Sequence, residues 1–343
     1  MWGQSRLGRR HQSGVALIVV LMLLAIMAAI AATMSERLTL GISRSAQKND
    51  HQQAYWYAVG VEQLAKYGIE ESFSDSDTVN LSQPWALDDQ VFPLDYGEAR
   101  GRMVDKQACF NLNGLAQLSL DGSENQRPYL MLALIQLLKS KQIDEYQAEV
   151  IVDSLYEFVD SDSSVVTLSG VEESSYEALK PAYLTPNGLL SDSSELRSIY
   201  QVDRNVMHQL HGLVCALPTD QYLLNVNTVR EWQAPLLEAM FNGELSLDDA
   251  TQLIENRPFD GWGSVDEFMQ EGVINALNSD IKNNAKAHFS VDSSYFELDG
   301  EVLVGDSRIR VRSLFFSNDK QSVQVVRRRF GGIVERIPNP EAE

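Results

Sequence analysis

The chain has 343 residues, 44% of them hydrophobic, which is enough to bury a sizeable core in about two soluble units. Its formal net charge is −20 at pH 7, and so acidic a surface repels nucleic-acid phosphates and anionic lipid headgroups. The composition therefore argues against nucleic-acid binding. It suits a soluble domain outside the cytoplasm, although solubility alone would also explain the charge.

The most informative stretch lies near the N-terminus, where a basic leader (residues 6–14) with three arginines ends at Gly14. Residues 15–34 carry no charge, which matches the roughly 20 apolar residues that a helix needs to cross a bilayer. Three interpretations are open: a secretory signal peptide, an uncleaved signal anchor held by the positive-inside rule, and a type IV prepilin. In the last, the leader is cleaved before Val15 and the apolar helix is retained.

Helical character continues beyond this apolar run. No proline occurs from residue 35 to residue 72, and apolar residues recur at helical spacing. We predict one long helix over 15–72, with 15–34 in the membrane and the upper half packed on a following domain. The polar, proline-containing stretch 74–93 then predicts a connector.

Strand patterning occurs in two separated stretches, 98–113 and 289–330. The second alternates apolar and polar residues, with Asp299-Gly300 and Gly305-Asp306 as predicted turns. An antiparallel sheet with one apolar face, covered by the long helix, is an α+β unit. Between the two stretches the apolar residues recur at helical spacing, which predicts an all-α domain inserted into the sheet. Its predicted helices cover residues 129–138, 144–159, 195–213, 229–241 and 246–256.

The inserted domain contains an internal repeat. Phe110-Asn-Leu-Asn-Gly-Leu115 reappears as Leu224-Asn-Val-Asn-Thr-Val229, and each copy is followed by two predicted helices. This predicts two related helical subdomains. The second copy also resembles helix-hairpin-helix DNA modules, but its hairpin Asn242-Gly-Glu-Leu245 has one glycine and an acid, so we expect a packing role.

Two cysteines occur in the sequence, Cys109 and Cys215. In a reducing cytosol both would stay free, whereas in a periplasm they can form one disulfide. Such a bond would close a loop of about 100 residues and stabilise the fold by several kcal/mol. We expect it if the domain is exported.

A cluster of acidic residues follows the second predicted helix of the insert. Asp160 and Asp162 stand at the helix end, and Glu172 and Glu173 come later in the same loop. Calcium takes about six to eight oxygen ligands at flexible geometry. The spacing is not that of an EF-hand, so a structural calcium site competes with a solvated acidic loop. No nucleophile–base pair or histidine cluster lies near in sequence, which argues against an enzyme.

Taken in order, these features resemble one known family, general secretion pathway protein K, the large minor pseudopilins of type II secretion systems. Each motif is weak alone, but their order and spacing around a helical insert are specific. The motifs are Ser13-Gly-Val-Ala-Leu-Ile-Val19, Ala108-Cys-Phe-Asn-Leu-Asn113, Val159-Asp-Ser-Asp162, Gly170-Val-Glu-Glu173, Ser194-Glu-Leu-Arg197, Leu224-Asn-Val-Asn-Thr228 and Ser294-Tyr-Phe296.

The resemblance implies a pseudopilin fold with a large all-α insertion. In this chain it corresponds to a leader (1–14), a long helix (15–72), a connector with the first strands (73–114), the inserted domain (115–288) and C-terminal strands (289–343). It also implies a single-pass protein of the inner membrane of a Gram-negative bacterium, with the bulk of the chain in the periplasm. The competing class is a membrane-anchored periplasmic scaffolding or binding protein that does not polymerise.

Processing, partners and metal follow from the same resemblance. Prepilin peptidase would cleave after Gly14, and Val15 would be methylated. Family members cap a short pseudopilus with the I and J minor pseudopilins and help to start its assembly, and contacts with the H type and the major pseudopilin are implied as well. The family's calcium site maps onto Asp160, Asp162, Glu172 and Glu173, although family members more often have aspartates where Glu173 and Ser174 stand here.

One departure from ordinary pilins predicts a position in the filament. Most pilins carry a glutamate at the fifth mature position, where it can neutralise a neighbour's N-terminal ammonium in an apolar surrounding, since a lone buried charge is costly. Counting from Val15, the fifth residue here is Val19, and K-type proteins share this absence. It suits a subunit with nothing stacked above it, so we predict a terminal, low-copy role.

Overall fold

The computed structural model describes residues 13–87, 90–120 and 127–331, and the arginines of the basic leader lie outside them. Its first element is helix α1 (Ser13–Asp75), which has 63 residues and is therefore about 95 Å long at the usual rise. Residues 14–49 of α1 are all exposed, although the helix contains an 18-residue window with a mean hydropathy of 3.1. No other helix among the described residues is long and apolar enough to span a membrane.

A five-stranded antiparallel sheet follows the exposed half of α1. Its strands, in the order in which they pair, are β1 (Gln90–Leu94), β2 (Gly97–Asp105), β7 (Tyr295–Val304), β8 (Ser307–Phe316) and β9 (Gln324–Phe330). The sheet combines strands from before and after the inserted domain, because β2 pairs directly with β7 along its whole length.

The two predicted turns of this sheet have different outcomes. Gly305-Asp306 is a turn, with Gly305 at φ +54°, and it joins β7 to β8. The turn predicted at Asp299-Gly300 is wrong, because β7 runs straight through both residues. Gly300 lies between Gly101 on β2 and Val311 on β8, and a Cβ at residue 300 would approach the Val311 side chain to 3.1 Å. The glycine therefore serves close packing within a strand.

The upper half of α1 covers the apolar face of the sheet, which confirms the predicted α+β unit. Small and β-branched residues of α1 lie against large apolar residues of the strands, so that helix and sheet approach closely. The core of this unit contains Ala54, Ala58, Val61 and Ile69 from α1 and Ala99, Met103, Phe296, Leu298, Val302, Ile309, Val311 and Phe315 from the sheet.

The inserted all-α domain lies between β2 and β7, and its core is larger than that of the helix-and-sheet unit. It also contains four strands of two residues each: β3 (Phe110–Asn111), β4 (Val214–Cys215), β5 (Leu224–Asn225) and β6 (Phe289–Ser290). The helices are α2 (Tyr129–Ser140), α3 (Glu145–Val159), α4 (Glu173–Glu177), α5 (Arg204–Gln209), α6 (Ala234–Met240), α7 (Leu247–Glu255), α8 (Val265–Met269), α9 (Gly272–Asn275) and α10 (Ser279–Lys286).

Two helices predicted in this domain are shorter than expected. The stretch 195–213 is not one helix, because a 3-10 turn (Ser193–Ser198) ends before Asp203, whose side chain then caps α5 through the Val206 N–H. The stretch 229–241 begins with a 3-10 turn (Glu231–Gln233) and becomes α-helical only at α6, where Pro235 stands in the first turn. In both places a local cap or proline sets the helix start, and the apolar period does not reveal it.

Both copies of the repeated sequence adopt the same arrangement. The first begins with β3, which pairs in parallel with β4, and the second begins with β5, which pairs in parallel with β6. In each copy the side chain of the second asparagine bonds to backbone distant in sequence. Asn113 Nδ2 donates to the carbonyls of Leu190 and Leu217, and Asn227 Nδ2 donates to that of Trp262. The two ends of each copy are therefore held together by a short pair of parallel strands and one buried side-chain amide.

Two features fasten the helical domain to the sheet. Cys109, directly before β3, forms a disulfide with Cys215 of β4, 106 residues later, and the two cysteines pack in one cluster with Tyr295 and Leu314 of the sheet. The buried carboxylate of Asp105, at the end of β2, accepts hydrogen bonds from Ser293 Oγ (2.5 Å) and Thr228 Oγ1 (2.6 Å). Burial outweighs these hydrogen bonds and raises the pKa of Asp105. The point where the chain leaves the sheet is thus joined to the point where it returns.

An ion pair between α1 and β9 joins the helix to the edge of the sheet. The Glu62 side chain is fully buried, and its Oε2 accepts hydrogen bonds from Ser313 Oγ (2.5 Å) and Arg328 Nε (2.6 Å). A second Arg328 nitrogen donates to Oε1. Burial on its own raises the pKa of Glu62, but the hydrogen bonds from Arg328 and Ser313 outweigh it and hold the pKa below its ordinary value.

Replacing Arg328 with leucine should destabilise the protein by about 2 kcal/mol or more, because Glu62 is left charged and buried without a cation. Since the folded-state pKa of Glu62 is lowered, its stabilising contribution is present above the ordinary carboxylate pKa and is lost as pH falls through the folded value. Urea unfolding of the full chain in detergent, near neutral pH and in acid, measures both effects.

Arg312→Leu is the matched control. Arg312 lies on β8, is about as exposed as Arg328 and pairs with exposed Asp299 at 3.7 Å, so its loss should cost less than about 0.5 kcal/mol. Equal unfolding midpoints for the two variants would contradict the importance of the buried pair.

Candidate metal centre

The acidic cluster lies where two helices of the inserted domain end and begin. Helix α3 ends at Val159, and Asp160 is the residue that follows its last turn. Glu172 is the N-terminal cap of α4, and its Oε2 accepts the N–H of Glu173 at 3.1 Å. Residues 161–171 form the loop between them, which brings the two capping carboxylates to the same place.

Three carboxylates converge at this point: Glu157, Asp160 and Glu172 each place an oxygen within 4.8 Å of the others. Each also has a buried oxygen without a hydrogen-bond partner among the described residues, namely Glu157 Oε2, Asp160 Oδ1 and Glu172 Oε1. Glu157 is fully buried and Glu172 is 6% exposed. Buried negative charges so close together repel one another unless a cation lies between them, and unpartnered carboxylate oxygens are the ligands of hard divalent cations.

The orientation of Glu157 is set by the loop that follows α3. Its Oε1 accepts hydrogen bonds from Val166 N (3.0 Å), Thr167 N (2.7 Å) and Thr167 Oγ1 (2.5 Å). These three donors hold one oxygen of the carboxylate, so the other oxygen faces Asp160 and Glu172. Such secondary contacts are what pre-orients a ligand for a metal.

The loop reaches Glu157 only because residue 170 is glycine. A Cβ on Gly170 would lie 2.3 Å from Thr167 Oγ1 and 2.8 Å from Glu157 Cγ. The same turn is pinned by Asp153, whose Oδ2 accepts the Ser169 N–H at 3.0 Å and which pairs with Arg127 at 2.8 Å. A side chain at position 170 would push the loop, and with it the donors to Glu157, away from α3.

The electrostatics of the cluster match its geometry. Burial, followed by repulsion from Glu157, raises the pKa of Asp160 to about 7. Burial and the charge of Glu157 also raise the pKa of Glu172, although its contact with the Glu173 N–H partly opposes them. The folded chain therefore holds these acids in a place where their charged forms are unfavourable, which is the condition that a bound divalent cation would relieve.

Two of the four acids singled out from the sequence belong to this cluster, Asp160 and Glu172. The other two lie outside it: Asp162 is exposed and accepts the Ser164 N–H at 2.7 Å, and Glu173 accepts a hydrogen bond from Ser163 Oγ at 3.3 Å. Sequence reasoning missed Glu157. Its position three residues before Asp160 puts both on one face of the end of α3, and this spacing was the available signal.

The remaining singled-out residues lie far from this cluster in sequence. Gly14 and Val15 belong to the first turn of α1 and are exposed. Cys109 and Cys215 are joined in the disulfide beside β3 and β4. Neither pair contributes an atom to the acidic cluster.

Two family models match the inserted domain, one over residues 108–219 and one over residues 224–292, and both describe type II secretion system protein K. The type II secretion system protein K of Aeromonas hydrophila is 37% identical over 328 residues, covering 94% of this chain and 98% of the relative. That of Pectobacterium carotovorum subsp. carotovorum is 36% identical over 334 residues, covering 97% of this chain and all of the relative.

A solved structure is similar over most of the molecule as well. The crystal structure of the GspK-GspI-GspJ complex from the type 2 secretion system of enterotoxigenic Escherichia coli contains a chain that matches with a TM-score of 0.77. The two chains are 35% identical, and the match covers 84% of this chain and 99% of the other.

The raised pKa of Asp160 predicts how the metal-free protein depends on pH. Its folded-state pKa of about 7 exceeds the ordinary value, so the folded state binds this proton more tightly and lowering the pH through 7 stabilises the fold. Asp160→Asn, which mimics the neutral acid, should therefore be more stable than wild type at about pH 8, and the difference should shrink by about pH 5. Thermal unfolding with EDTA measures it, and a difference that stays constant with pH would contradict the assignment.

Proposed function

Since the chain belongs to the type II secretion system protein K family, we propose that this minor pseudopilin caps the tip of the pseudopilus. There it helps to initiate pseudopilus assembly for protein export across the outer membrane, and its role is structural, not catalytic. One observation carries the proposal: residues 15–34 of α1 carry no charge and are exposed, while the upper half of the helix is packed on the sheet. Such a helix needs hydrocarbon, or other apolar helices, around it.

The partners in this proposal are other pseudopilins. A chain from a complex of GspK with GspI and GspJ matches this one at a TM-score of 0.77, which supports the I and J types as its direct partners. The H type and the major pseudopilin would join the same assembly. Before assembly, α1 would anchor the protein in the inner membrane as a single span, with the sheet and the helical domain in the periplasm.

Two features support the tip position: the absence of a carboxylate at Val19 and the size of the inserted domain. Val19 stands where a shaft pilin would offer a carboxylate to the ammonium group of a neighbour, so nothing here compensates a charged N-terminus buried beside it. The inserted domain also adds a second core larger than that of the helix-and-sheet unit. A subunit with these two features can end a filament more readily than it can extend one from within.

Cleavage after Gly14 separates this role from that of a plain membrane anchor. We expect mass spectrometry of the full chain, produced together with prepilin peptidase, to find a mature protein that begins at a methylated Val15. Without the peptidase, residues 1–14 should remain.

Gly14→Leu is the matched variant, because nothing lies within 4 Å of a Cβ at this position and the helix itself would tolerate the change. It should keep the leader under both conditions. An intact leader in the wild-type protein with active peptidase would favour the alternative function, a membrane-anchored scaffolding or binding protein that does not polymerise.

We also propose that the three-carboxylate site holds a structural calcium ion. Glu157, Asp160 and Glu172 would supply its carboxylate oxygens, and loop carbonyls and water would complete the shell of about six to eight ligands. Oxygen donors without histidine or cysteine favour calcium over zinc. Asp162 and Glu173, the other two acids of the loop, would act on the ion through charge.

Calcium at about a hundredfold excess over its Kd should stabilise the full chain by about 2.7 kcal/mol relative to EDTA, which is a shift of several degrees in Tm. Glu157→Gln should abolish that shift, because it keeps an oxygen for Thr167 but removes the charge.

Glu177→Gln is the control, since Glu177 is exposed at the end of α4 and is not one of the three converging carboxylates. Equal melting temperatures in calcium and in EDTA for the wild-type chain would mean that the acidic loop is simply solvated.

A further inference from the structure

We propose that cation binding at the three-carboxylate site is coupled to strand β9 and, through it, to α1. The link is the segment from Thr185 to Asp192, called here the bridging segment. The inference rests on the proposed calcium site and extends it. The ion would regulate how firmly the helical domain is held on the membrane-anchored helix.

The first contact runs from the site to the bridging segment. Thr185 Oγ1 lies 3.4 Å from Glu172 Oε2, and both residues are buried. Two residues further, Asn187 Nδ2 donates to Ser163 Oγ in the site loop at 3.0 Å. The start of the bridging segment therefore follows the position of Glu172 and of the loop around it.

The end of the bridging segment contacts the edge strand of the sheet. Asp192 Oδ2 accepts a hydrogen bond from Arg329 Nη1 at 2.8 Å, and the Ser191 carbonyl accepts one from Arg327. Asp192 also caps the 3-10 turn that follows, through the Ser194 N–H at 3.0 Å. These contacts join two regions that are more than 130 residues apart in sequence and belong to different cores.

Strand β9 passes this link on to α1 because its arginines alternate in direction. Arg327 and Arg329 point to the helical domain, and Arg328, between them, points to the opposite face and pairs with Glu62. Among the described strands β9 has one neighbour, β8, with an irregular register at Leu314/Phe315. An edge strand held on one side depends on its side-chain contacts more than a central strand does.

The coupling has a simple physical cause. Without a cation, Glu157, Asp160 and Glu172 repel one another. We expect Glu172, which stands at the start of a short helix and contacts Thr185, to move away from the other two. That movement breaks the contact with Thr185 and loosens the bridging segment, so Arg327 and Arg329 lose well-placed acceptors. A bound cation reverses each step. The three-carboxylate site and the contact between the bridging segment and β9 are then linked by one coupling free energy. Cation binding strengthens that contact, and the contact strengthens cation binding by the same factor.

Hydrogen exchange of the full chain in detergent, with calcium or with EDTA, tests this directly. Calcium should slow exchange in the site loop and also, by about fivefold or more, in peptides that cover β9. In Arg329→Ala the slowing should persist in the site loop and be weakened in β9, where the contact of Arg327 with the Ser191 carbonyl remains. Reciprocity requires that this variant also bind calcium more weakly by the same factor, which calorimetry measures.

Arg312→Ala is the matched control, because Arg312 is as exposed as Arg329 and pairs within the sheet, with Asp299. It should leave the response of β9 and the calcium affinity unchanged. Asp192→Asn is a second test of the link, since it keeps an oxygen for the Ser194 cap and removes the charge that Arg329 contacts.

The outcomes separate the two proposals. If calcium slows exchange in the site loop of the wild-type chain but not in β9, the coupling is overturned and the calcium site stands. If calcium changes exchange nowhere, the calcium site itself fails and the coupling fails with it. If Arg312→Ala weakens the response as much as Arg329→Ala, the effect is a general loss of sheet stability, and the specific link is wrong.

Discussion

The packing of the upper half of α1 on the sheet is the contact on which the rest of the molecule depends. Helix α1 has 63 residues, and this packing divides it into two functional parts. The lower part needs an apolar surrounding, and the upper part forms a hydrophobic core together with the sheet. The small residues Ala54 and Ala58 let the helix approach the strands closely, and Glu62 is tolerated there only because Arg328 and Ser313 satisfy it. Whatever fastens to this sheet is thereby fastened to the membrane helix.

Several contacts hold the helical domain on this unit, and they are spread over more than one strand of the sheet. The disulfide and the buried Asp105 hold it near the ends of the interior strands β2 and β7, where the chain leaves and re-enters the sheet, and the bridging segment holds it at the edge strand β9. A body attached at one point can rotate, whereas a second attachment on a separate strand fixes its orientation. The acidic cluster lies next to the attachment that relies on exposed ion pairs, which is the weakest kind and therefore the easiest to modulate.

Patterns that repeat along the chain were predictable from sequence, whereas several features that depend on tertiary contacts were not. The apolar run of α1 and the alternation in β7 and β8 are imposed by burial on one face, so periodicity reveals them. The turn wrongly predicted at Asp299-Gly300 shows the limit, because a glycine signals both a turn and a close approach of neighbouring strands. Glu157 was missed for a similar reason: it lies inside a buried helix and becomes a candidate ligand only when the loop at Gly170 folds back over it.

The pairing of β2 with β7 has a consequence for how the molecule is made. These two neighbouring strands are separated in sequence by the entire helical domain, so the sheet cannot close until the last strands have been synthesised. Until then the apolar face of the upper half of α1 lacks the sheet that covers it, whereas the helical domain can already assemble around its own core. The order of the elements along the chain therefore imposes an order of folding, with the insertion first and the host sheet last.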